Sequence, residues 1–154
     1  MQYASRNEAL GFAARTRRNL ECIDAAYEAG DAVHPTTQLV VSLLGLVVVP
    51  HERNLVKQLG VMSLASLQAG GWPQWTFELQ ICETLAQLFR HLRNAIAHGR
   101  FSFNSDSTDI SDVVISVEDY RPGQDAPYWR ATISAVDLKD FCLRFIDLVE
   151  QTLG

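Results

Sequence analysis

The chain has 154 residues, a formal net charge of −5, and 47% apolar against 20% charged residues. That size and balance suit one folded domain, residues 1–154, with a real core, and they exclude a disordered chain. The acidic balance excludes a protein that coats nucleic acid through a broad basic surface but leaves room for a small basic cleft.

No internal repeat, low-complexity tract or Pro/Ser-rich linker divides the sequence. The opening stretch "MQYASRNEALGFAARTRRN" has no continuous apolar region, so a cytoplasmic chain without a secretory signal is expected. The first helix is predicted over 7–29, with Leu10, Ala13, Ala14, Leu20, Ile23, Ala26 and Tyr27 as its apolar stripe and Gly30 ending it. Arg15, Arg17 and Arg18 fall on its polar, solvated face. Thr36 or Thr37 is placed to cap a second helix running through Val49 and stopped by Pro50. Its core, "LVVSLLGLVVVP", is too short for the ~20 residues that a membrane span needs, so a buried helix is expected and no membrane partner. Gly45 within it marks a close helix approach.

A third helix is predicted over 53–68, with Leu55, Leu59, Met62 and Leu67 inward, before Gly70, Gly71 and Pro73 break the chain. The fourth is predicted from Thr76 to His98, ended by Gly99, with Ile81, Leu85, Leu88, Leu92, Ala95 and Ile96 inward. The period then changes. "FSF" reads as a short strand, and "DVVISVEDY" and "PYWRATIS" read as two strands joined by the turn-rich "RPGQDA". Helical spacing returns from Ala135, with Val136, Phe141, Phe145, Leu148 and Val149 on one face. The expected class is mostly α: an antiparallel helical bundle with a β-hairpin inserted before the C-terminal helix. Cys22, Cys82 and Cys142 match no metal-ligand spacing and read as buried apolar residues of a reduced compartment.

The segment "RHLRNAIAHGRFSF", residues 90–103, gathers Arg90, His91, Arg93, Asn94, His98 and Arg100 at the end of the fourth helix. Advancing about 100° per residue from Leu92 puts Arg93 to one side and His98 to the other. Between them lie Arg90, Asn94 and the small Ala97, and Asn94 and His98 are neighbours one turn apart. Two readings fit. Arginine and histidine are favoured at a helix C-terminus by the dipole and the free carbonyls, and on spacing alone this is the more economical account. The other is a phosphate-handling cleft, completed by a second copy packed over Ala97.

The run "RNAIAH", 93–98, resembles the signature of the HEPN superfamily: an arginine, a polar residue after it, and a histidine beyond four to six intervening positions. The long apolar helix before it, "LLGLVVVPHE" earlier in the chain and Gly99 after it are similar to a plasmid- or mobile-element-associated prokaryotic subgroup. The resemblance implies a metal-independent endoribonuclease, often a toxin or phage-defence effector restrained by an antitoxin or other regulatory partner, and working as a homodimer on RNA. Some members are non-catalytic nucleotide- or RNA-binding modules or interaction scaffolds, but both signature residues are kept here. In that setting His98 suits proton transfer, Arg93 a forked grip on phosphate and Asn94 the orientation of either. Arg90, His91 and Arg100 are candidate contacts to the RNA backbone, with plain solvent exposure as their other reading. His34 and His51 are placed at surface turns. No metal or other cofactor is expected.

Overall fold

The computed structural model describes residues 2–52 and 56–153, and side chains within 8–47 and 58–153. Among the described residues the α-helices are α1 (Gln2–Glu28), α2 (Pro35–Glu52), α3 (Val56–Leu59), α4 (Leu64–Ala69), α5 (Leu85–Ala97) and α6 (Ala135–Leu153), with one 3-10 turn at Ile110–Asp112. Four strands, β1 (Thr76–Phe77), β2 (Phe101–Phe103), β3 (Val114–Asp119) and β4 (Trp129–Ser134), form one antiparallel sheet in the order β1-β4-β3-β2. The chain is therefore mostly helical with a small sheet.

Local chemistry explains most boundaries. Gly30 takes φ +84°, and the Gly30 and Asp31 amides donate to Tyr27 and Ala26, closing α1 with its last carbonyls satisfied. Pro35 opens α2, where a missing amide hydrogen costs nothing, rather than Thr36 or Thr37 capping it. Pro50 does not stop that helix, which continues to Glu52 and so takes in His51 as well. Gly45 faces the ring of Phe12, to within 2.2 Å of where a Cβ would stand, which is the close approach its position suggested.

The third predicted helix starts at residues outside the described set, as does Leu55. Beyond them it is two pieces, α3 and α4, separated at Gly60. Ser63 caps the second by accepting from the Ser66 amide. Helix α5 is shorter than its apolar pattern implied. Residues 76 and 77 pair with β4 instead, and Ile81, expected inward, is 79% exposed. The true start is at Thr84, which caps the helix by accepting from the Gln87 amide, while the Gln87 side chain accepts from the amide of Glu83 just before the cap.

One apolar core runs through the helices and the inner face of the sheet. Helix α5 packs on β3 and α2, and Phe89 meets Phe141 and Phe145 of α6 edge-on. Arg17 is ion-paired to Asp147 and Glu150, and Lys139 to Asp24, so α1 runs antiparallel to α6 and Arg17 is not a merely solvated residue. Val136, expected inward, is exposed. Cys142 is buried, which pushes its thiol up to about 12, and Cys82 is buried as well, but Cys22 is exposed. No helix among the described residues is long and apolar enough to cross a membrane.

Candidate functional site

Leu85, Leu88, Leu92 and Ala95 of α5 are fully buried, and this stripe fixes the rotation of the helix. At its end, Gly99 adopts φ +66°. The His98, Gly99 and Arg100 amides donate to the carbonyls of Asn94, Ile96 and Ala95 at 3.1, 3.1 and 2.7 Å. The helix is thus closed by backbone alone. The His98 imidazole is not needed to satisfy these carbonyls, which weakens the reading of this residue as a mere helix finisher. His98 is the C-cap residue and exposed, while Arg93 is half-buried one and a half turns earlier. Neither side chain has a hydrogen bond or ion pair among the described residues.

The neighbouring polar residues are differently placed. His91 lies on the buried side of α5, three positions after Leu88 and four before Ala95, and is 3% exposed. The expectation that it reaches substrate from an exposed position is therefore corrected. Its Nδ1–H donates to Asp119 Oδ2 at 2.7 Å, and its ring stacks on Trp129 at 4.6 Å and 8°. Asn94 Nδ2 donates to the same oxygen at 3.3 Å, and the Tyr128 hydroxyl does so at 3.1 Å. Asn94 is held by the sheet rather than turned to His98.

Asp119 is the hub. It ends β3 on the inward register after Val113, Ile115 and Val117, and is 2% exposed. A buried carboxylate requires donors, and three converge on it from α5 and from the residue before β4. Burial lowers the pKa of His91, against the opposing pull of Asp119, so its imidazole is neutral with the proton on Nδ1. Burial also raises the Tyr128 phenol, and donation to Asp119 adds to that. His91 and Asp119 form a hydrogen-bonded clamp between helix and sheet.

The remaining expected residues sit around this clamp. Arg90 is exposed on α5. Arg100 is pinned at both ends of its peptide, its carbonyl accepting from the Glu118 amide, and its guanidinium lies over the Tyr120 ring at 4.3 Å. Arg121 lies over Tyr128 at 4.9 Å. Arg90, Arg93, Arg100 and Arg121 have no carboxylate partner among the described residues, whereas Arg130 is bound to Glu78 and Glu118. Asp119, Tyr120, Arg121 and Tyr128 did not emerge from the sequence reading. The signal for Asp119 was present: an acid on the inward register of an alternating strand, matched by a histidine on the inward stripe of a helix. Among the described residues no group of three or more His, Cys, Asp or Glu side chains is arranged to hold a metal ion.

Comparison with known proteins adds one match: the family model described as HEPN pEK499 p136 aligns with residues 1–153. No curated protein and no solved structure matched the chain. The family alignment takes in both α5 and the sheet that clamps it, and on it the chain belongs to the HEPN pEK499 p136 family, a HEPN group of plasmid-associated type.

Proposed function

We propose that the protein is a metal-independent endoribonuclease. One observation carries this reading. Of the polar residues in "RHLRNAIAH", His91 and Asn94 are engaged by Asp119, while Arg90, Arg93 and His98 have no hydrogen-bonding or ionic partner among the described residues, and the last two are the signature pair. Residues that serve only the fold are expected to find partners within it.

RNA carries its own nucleophile. The 2′-hydroxyl attacks the adjacent phosphorus, the P–O5′ bond breaks, and the leaving oxygen takes up a proton. The products are a 2′,3′-cyclic phosphate and a 5′-hydroxyl end. His98 serves as proton carrier, a role that contributes ~10²–10⁴ in rate. Arg93 neutralises the charge that builds on the phosphorane oxygens, for which loss of the stabilising group typically costs ~2.7–4 kcal/mol. Asn94, tied to β3, positions the helix end that carries both. A base and an acid are both required, and two copies related by a two-fold axis near Ala97 would supply two imidazoles to one cleft. Such an activity suits a cytoplasmic toxin or phage-defence effector held in check by an antitoxin or another regulatory partner.

A second reading is an RNA- or nucleotide-binding module without catalysis. It is favoured by the burial of His91, which leaves His98 as the single solvent-exposed histidine of residues 90–103, so that one copy offers one proton carrier. The test is cleavage of single-stranded RNA in excess EDTA by the wild type, Arg93→Ala and His98→Ala. Ribonuclease action predicts cyclic-phosphate ends, no cleavage of DNA, and a fall of ~10²-fold or more in either variant with the fold intact. Wild-type cleavage by folded His98→Ala would overturn it. RNA binding with no cleavage by any form would leave the binding module.

A further inference from the structure

The segment between β3 and β4 lends Tyr128 to the Asp119 clamp, but its remaining residues, Tyr120 to Pro127, are explained by neither the clamp nor the helix end. Arg121, Pro122, Gly123 and Gln124 form a tight turn: the Gln124 amide donates to the Arg121 carbonyl at 3.1 Å, and Gly123 has φ +76°. Proline then glycine at the two central positions is the sequence of a type II turn. The Tyr128 amide donates to the Asp119 carbonyl at 3.0 Å, closing the loop. The turn thus presents Arg121 at a defined place over Tyr128. Tyr120 follows the last residue of β3, and Arg100 precedes the first residue of β2, whose register places Phe101 opposite Val117. Both arginine–tyrosine stacks therefore sit at the same end of the sheet, and Gly99 leads to that end directly from His98.

The charge there is unbalanced in one direction. Glu118 is engaged by Tyr120 and Arg130, and Asp119 is buried under three donors. Asp125, exposed in the loop, is the remaining acid of residues 118–130. Against it stand Arg100 and Arg121, with Arg90 close enough to Tyr128 for its charge to act on the phenol. In a chain of net charge −5 this is a local concentration of unpaired cations. A guanidinium held over an aromatic ring loses little freedom when it binds, keeps its N–H edge for phosphate, and offers its outer plane to an unpaired base.

We infer that this end of the sheet is a track for single-stranded RNA, in which Arg100 on Tyr120 and Arg121 on Tyr128 take bases and phosphates flanking the scissile position at Arg93 and His98. The inference rests on RNA being the ligand of the helix end, and it assigns the β3–β4 loop a role in holding the strand. An acidic protein partner would need the same charge but would gain nothing from two flat stacks. Duplex RNA keeps its bases paired and would use the phosphate contacts alone.

The test is binding of a fluorescent single-stranded RNA to full-length His98→Ala, a background that separates binding from cleavage. Arg100→Ala and Arg121→Ala are then added singly and together. Each is expected to weaken binding by roughly 5- to 150-fold, the range of one base stack, and to lower the salt slope by about one. Arg121→Lys keeps the charge and should restore the slope but not the full affinity. Unchanged melting temperatures would show that the losses are not unfolding. Wild-type affinity in the double variant overturns the track, even if the wild-type chain cleaves RNA. Full affinity in Arg121→Lys, or tighter binding of poly-glutamate than of RNA, also overturns it. Loss of binding in the double variant supports the track even if the wild-type chain cleaves nothing, in which case only the ribonuclease reading falls.

Discussion

A carboxylate on the inward face of a strand is stable only if donors meet it, and Asp119 has three, from His91, Asn94 and Tyr128. Removing it leaves the buried His91 Nδ1–H without its carboxylate acceptor and takes the anchor from half-buried Asn94 and Tyr128. Asp119→Ala is therefore expected to destabilise the fold by ~1–3 kcal/mol, measured by urea unfolding, and to lower activity because Asn94 loses its anchor. A loss below 1 kcal/mol, on the order of a solvated hydrogen bond, would show that the clamp does not hold. The protonation of His91 sets a pH dependence. Its pKa lies below the ordinary 6.5 in the folded chain, so on acidification the unfolded chain binds the proton first. Stability from this group is full above about 6.5 and falls as pH drops below that value towards the folded pKa. The melting temperature should decline as the pH falls below about 6.5, and His91→Gln should flatten that decline. A slope unaltered by the substitution would mean that His91 is not the group responsible.

At the scale of elements, two glycines do work that alanine cannot. Gly99 holds a left-handed conformation that lets α5 hand over to β2 within three residues, placing His98 and Arg100 on either side of it. Gly99→Ala should lower stability by about 1–2 kcal/mol and weaken RNA binding by disturbing both neighbours. Gly45 is the point where α2 meets Phe12 of α1. Alanine there gains ~1 kcal/mol of helix propensity but must push the ring aside, at ~1–3 kcal/mol. A net fall in melting temperature is expected, and a rise would mean that the Phe12 ring moves freely.

For the whole molecule, the cleft proposed at Ala97 is incomplete in one copy, because one imidazole cannot act as base and acid at once on opposite sides of a phosphorus atom. The protein is expected to be a homodimer by light scattering at tens of micromolar. Ala97→Glu, which places a charge at the proposed axis, should yield a folded monomer with little cleavage. Full activity in a monomeric form would refute the shared cleft while leaving the chemistry of Arg93 and His98 to be tested separately.

The helices were legible in the sequence because apolar spacing and glycine stops are local: α6, the end of α1 and the Gly99 stop of α5 follow from them. The "RNAIAH" signature was legible too, since its residues are contiguous, and with it the family. Three things were decided only by tertiary structure. Residues 76–77 became a strand because β4 offered an edge to pair with, which no helical or strand period in "TFELQ" announces. His91, turned inward by its place on the helix, is tolerated there because Asp119, 28 residues away, satisfies it. Arg100 and Arg121 acquired their tyrosines because the sheet brings the ends of β2, β3 and β4 together. Local periodicity carries the direction each side chain takes, but the partner that makes a polar residue affordable inside, or leaves it free outside, is a property of the folded chain.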